Sequence, residues 1–83
     1  MHLRTEEGWA GVFTREQAPD AIENGARVIK VKKDPDDARP IGTRGRVLGS
    51  IKVGDMPTGY FIEWDDQRRC AVFCIDWKIE RLQ

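Results

Sequence analysis

Residues 42–50 read GTRGRVLGS, three glycines and two arginines around the apolar pair Val47-Leu48. A run of this kind can cradle a pyrophosphate, or it can let a β-strand bend. Pyrophosphate loops need a Gly-x-Gly-x-x-Gly turn opening a helix, or a Lys-Ser/Thr ending. This stretch has neither. Gly45 and Gly49 stand four apart, a spacing that places both on one face of the run. Missing side chains there permit a tight corner or the close approach of another backbone. The reading is a strand over 43–51 that coils sharply.

The flanks continue in the same β grammar. ARVIKVK (26–32) is rich in β-branched residues and alternates, with Arg27, Ile29 and Val31 on one side and Val28, Lys30 and Lys32 on the other. KDPDDARPIG (33–42), with its prolines and aspartates, is a polar loop. GYFIEWD (59–65) and RRCAVFCI (68–75) make the third and fourth strands, joined by the turn-favouring Asp65-Asp66-Gln67. IERL (79–82) follows a turn at Asp76-Trp77-Lys78 as the last strand. Short strands at this spacing predict a closed small barrel rather than a sandwich, with Val28, Val47, Ile62, Trp64 and Leu82 in its core.

Residues 1–24 form an N-terminal arm ahead of a barrel over 25–83. Trp9, Val12 and Phe13 are its apolar anchors. Thr14 and Gln17 have the spacing of a helix capping box, which predicts a short helix cut off by Pro19. Gly25 suits a left-handed stop.

At 83 residues the chain is one small domain. Such a domain buries only about 60–65% of its unfolded surface, so association with copies of itself is a natural way to bury more. AVFCI (71–75) is apolar on both faces, whereas a small barrel has one inside. Its outer face must meet either the arm, through Trp9 and Phe13, or a second subunit. Cys70, Val72, Phe73 and Cys74 are therefore the candidate self-association face of a homo-oligomer, a dimer being favoured.

Formal net charge is zero but uneven. Residues 26–54 hold eight basic against three acidic side chains, while the flanking thirds are acidic. Arg27, Lys30, Lys32, Arg44, Arg46 and Lys52, with Tyr60 as a stacking platform, form a candidate phosphate-binding face; the competing reading is a solvated surface paired with nearby carboxylates. A sequence pI near 6.6 argues against a dedicated nucleic-acid binder. An aromatic cage from Tyr60, Phe61 and Trp77 is a further possibility.

Catalysis is not expected. The one histidine is His2, and no Ser/His/Asp or Cys/His set can be assembled. Cys70 and Cys74, about 13 Å apart along a strand, lie beyond disulfide reach, and zinc would need ligands from more than one chain. No cofactor is called for. No run of about 18 apolar residues spans a membrane, and the start lacks a secretory pattern. With two isolated cysteines, these features point to the cytoplasm.

Gly25-x-x-Val28, Asp34-Pro35, Gly42-x-x-Gly45-x-Val47, Ile62-x-Trp64-Asp65 and Asp76 to Leu82 together resemble the bacterial SH3-like small β-barrels. That group includes short proteins carried in mobile integron gene cassettes. The resemblance covers residues 25–82 and departs at Asp66-Gln67, where the family's turn carries a glycine. It implies a five-stranded barrel; the function expected of the chain is a non-catalytic interaction module that associates with itself or with another protein, the alternative being a nucleic-acid binder using the basic strands 27–52. Fold alone does not name a task.

Overall fold

Alternation over residues 26–32 turns Val28 and Lys30 inward on β1 (Arg27–Lys30) in the computed structural model, which describes residues 3–82. β2 (Arg44–Ile51), β3 (Gly59–Trp64), β4 (Val72–Ile75) and β5 (Ile79–Arg81) follow, with a single 3-10 turn, Asp76–Lys78, between the last two. All pair antiparallel in one sheet of order β4-β3-β2-β1-β5, so β4 and β5 are its edges and, contrary to the closed barrel expected, the sheet does not close on itself. Each of the five strands lies within the stretch where local pattern placed it. His2, the one histidine, is outside the described residues.

A bulge gives β2 its bend. Val47 pairs with Ile62 and Gly49 with Phe61, which leaves Leu48 as the extra residue. One inserted residue reverses the side to which later residues point. Gly45 and Gly49 therefore do not share a face. A Cβ on Gly45 would meet Ile62 and the Trp64 ring on the inner side, at 2.8 and 2.9 Å. One on Gly49 would meet the Thr14 backbone on the other.

The two sides bury separate clusters. Inside are Val28, Val47, Tyr60, Ile62, Trp64, Cys74 and Ile79, with Ala21, Ile22 and Val72 packed against them. Leu82, expected in this core, is half-buried just past β5. Outside, Leu48 and Phe61 are covered by Phe13, flanked by Trp9, Ile51 and Ala71. Phe13 is 1% exposed, and a side chain so buried contributes about 1.5–3 kcal/mol.

The arm is a strap, not a helix. The Thr14 hydroxyl accepts from the N–H of Glu16, two residues on, instead of capping at Gln17. The Glu16 carbonyl then accepts from Ser50 N–H, Ala18 N–H donates to Ser50 Oγ, and Gln17 Oε1 accepts from Asn24 N–H. Backbone groups that a helix would satisfy internally are satisfied by side chains of the arm and by Ser50, where β2 runs past β1. Gly25 has the expected positive φ, 90°.

Candidate functional site

The basic residues grouped by sequence are dispersed by the fold. Lys30 is 3% exposed, with its ammonium on Asp37. Tyr60 is 4% exposed, and its hydroxyl accepts from Ile22 N–H at 2.9 Å, so it offers no stacking platform. Lys32 is exposed beyond β1, where its N–H donates to the Lys78 carbonyl. Lys52 is turned onto the Gly54 and Met56 carbonyls of the β2–β3 loop. Arg27, Arg44 and Arg46 remain together, exposed on β1 and β2. The aromatic cage does not assemble either: Tyr60 is inside the sheet, Phe61 outside it, and Trp77 stands on the 3-10 turn. Strand alternation separates neighbours 60 and 61.

The surviving arginines surround two carboxylates. Arg46 pairs with Glu63 at 2.7 Å, Arg68 approaches it at 3.6 Å, and Arg69 N–H donates to it at 2.9 Å. That backbone donation, with the Arg46 guanidinium, holds the buried Glu63 carboxyl below its ordinary range despite burial. Arg27 forms a two-armed pair with Asp65 and lowers its pKa likewise. Arg15 and Arg69 each lie 5.5 Å from the centroid of the Trp9 ring. Sequence reading missed Arg15, Arg68 and Arg69 because they are distant in the chain; the dipeptide Arg68-Arg69 was the one local signal.

The proposed self-association face is also redistributed. Cys74 is buried in the inner cluster and Val72 packs against it. Burial pushes the Cys74 thiol up from its ordinary pKa. Cys70 is half-buried and bridges Ala10 of the arm in parallel fashion. Of the four residues, Phe73 alone is outward and exposed, at 54%, with its ring edge-on to Phe61 at 5.4 Å. The arm thus covers much of the outer apolar face, and Phe73 marks where its cover ends.

Two depressions flank β4. One, about 340 Å³, lies between β4 and the β1–β2 loop, over Trp64 and Cys74. Its cations are each matched: Lys30 with Asp37, Arg39 with Asp66, Lys78 with Asp34. The other is a groove of about 260 Å³ lined by Ile51, Val53, Met56, Pro57, Gly59, Phe73 and Ile75, with no charged side chain. Among the described residues, no three His, Cys, Asp or Glu side chains converge as metal ligands would. No family model, curated protein or solved structure matches the chain.

Proposed function

We propose that the chain is a non-catalytic, cytoplasmic interaction module of SH3-like barrel type that associates with a second copy of itself along β4. The barrel reading is supported by the strand order and by the 3-10 turn leading into β5 beside β1. Placement in a reducing compartment is supported by two free thiols; no described helix is long and apolar enough to cross a membrane.

The uncharged groove over Gly59, between the β2–β3 loop and β4, together with the free edge of β4, carries the self-association reading. Asp76 N–H donates to Thr58, and Tyr60 pairs with Cys74, so Phe73 and Ile75 turn their backbone groups away from β3. On that same outward side Ala71 N–H already bonds the arm at Ala10. A second β4 can continue this edge antiparallel, Phe73 of one copy opposite Ile75 of the other. Phe73, Val53 and Met56 are each at least half exposed, and a two-fold contact buries each of them twice. Full burial of each is worth about 1.5–3 kcal/mol, set against the cost of association.

Sedimentation equilibrium tests this. The intact chain should dimerise at micromolar concentration, and Met56→Glu, a change at an exposed side chain, should leave a folded monomer. A wild-type monomer at every concentration rejects the reading.

A further inference from the structure

Six arginines from four separate segments share one surface: Arg15 of the arm, Arg27 of β1, Arg44 and Arg46 of β2, and Arg68 and Arg69 of the β3–β4 turn. Their proximity is visible in their partners. Arg27 stands opposite Arg46, and Arg46 opposite Glu63, in a row across three strands. Arg46 and Arg68 converge on Glu63, whose charge also reaches Arg15. Arg44 and Arg68 both act on Asp65, the partner of Arg27. Arg15 and Arg69 meet at Trp9. Three carboxylates, Glu6, Glu63 and Asp65, are paired within the group, leaving a local formal excess of three positive charges.

We propose that this arginine face binds the phosphate backbone of double-stranded nucleic acid without reading its sequence. Guanidinium is the planar, forked donor that matches phosphate oxygens two at a time. Neighbouring strands set such groups about 5 Å apart, and alternate residues along a strand about 7 Å apart, a grid on which several phosphates can be held together. Glu63 prepares that grid. Being buried and fixed by Arg69 N–H, it anchors Arg46 and Arg68 from beneath, and a guanidinium so held keeps further N–H donors for an outside acceptor. Arg68 is 79% exposed at its side chain, so its outer donors reach solvent.

The aromatics decide between duplex and single strand. Single-strand binders stack bases on open rings. Here Trp9 is flanked by Arg15, Arg69 and Phe13, and Phe61 is buried, so that among the described residues this face has no unoccupied ring for a base. A duplex needs no such platform and offers about one charge per 1.7 Å of axis.

The test is fluorescence anisotropy of the full chain with a short labelled duplex of mixed sequence, between about 50 and 200 mM salt. Binding should weaken with a log–log salt slope of about −3, as three to four phosphates exchange their counterions. Arg44→Gln/Arg68→Gln should lose about tenfold or more at the lowest salt and flatten the slope by about two. Lys32→Gln/Lys52→Gln removes the same charge from outside the face and should change neither. Arg68→Glu alone is a second on-face variant at a side chain open to solvent, should the double variant not fold. Four outcomes overturn the proposal: no binding at the lowest salt, equal losses from the two double variants, tighter binding of the corresponding single strand, or displacement of the duplex by polyglutamate at matched charge. The last would assign the face to an acidic protein.

Discussion

Gly49 lies directly beneath the backbone of Thr14: a Cβ built on it would stand 1.9 Å from the Thr14 carbonyl oxygen and 2.8 Å from its carbon. The neighbour is main chain, so no rotamer change relieves the clash. Ser50, the next residue, holds the same strap by its N–H to Glu16 and its hydroxyl to Ala18. Gly49→Ala should therefore lift the arm and cost about 3 kcal/mol, at the upper end for overpacking. Thermal unfolding checks the size of the loss, and faster proteolysis within residues 1–18 checks its place. A variant as stable as wild type would refute this contact.

Phe13 and its neighbour Val12 should behave oppositely. Phe13 closes the outer cluster against Leu48 and Phe61, whereas Val12 points to solvent. Phe13→Ala should cost about 3–5 kcal/mol, and Val12→Ala should fall within about 0.5 kcal/mol of wild type. Urea unfolding of both variants measures the contrast. Loss of Phe13 also uncovers Leu48 and Phe61 beside the β4 groove, so that variant should associate more strongly in sedimentation.

Acid should weaken the fold through Glu63. Its carboxyl ionises below its ordinary value of 4.5 in the folded chain, because Arg69 N–H and Arg46 stabilise the charge. The unfolded chain then takes up that proton first as pH falls. Stability from this group is complete above about pH 5 and is lost as pH drops through 4.5 towards the lower folded value. Melting temperature followed from pH 7 downward should fall in that range, and Glu63→Gln should make the fall shallower while lowering stability at neutral pH. An unchanged acid profile in the variant would show that other carboxylates govern it.

The two thiols should differ in reactivity. Thiolate is the reacting species, and burial suppresses it at Cys74, whereas Cys70 is half-buried beside the arm. Alkylation under native conditions should label Cys70 first, with Cys74 following only on unfolding. Peptide mass mapping against time reads the order. Equal native rates would place the Cys74 sulfur at the surface.

Strand positions were legible because their causes are local. β-branched alternation in Val28-Ile29-Lys30, turn residues at Asp65-Asp66-Gln67 and the glycines of β2 act over a few residues, and the inward set Val28, Val47, Ile62 and Trp64 follows from period-two geometry. Lys30 shows where that logic stops. It shares the inward side with Val28, but its burial depends on Asp37, seven residues on in a loop without periodicity.

The arm and the arginine surface were decided by tertiary structure. Thr14 and Gln17 can cap a helix or bond elsewhere, and local chemistry weighs both options closely. The end of β2 that runs past β1 tips the choice, through Ser50 Oγ accepting from Ala18 N–H at 32 residues' remove. The bulge at Leu48 reverses the facing of Gly49, and no alternation pattern announces an inserted residue. Arg15 comes under the influence of Glu63, the carboxylate that Arg46 and Arg68 share, only once the strap lies against the sheet. Sequence determined the elements, since each arises from the conformational preferences of adjacent residues. Which side chains became neighbours across those elements was decided by long-range hydrogen bonding and packing, which come into being only when the sheet and its strap assemble.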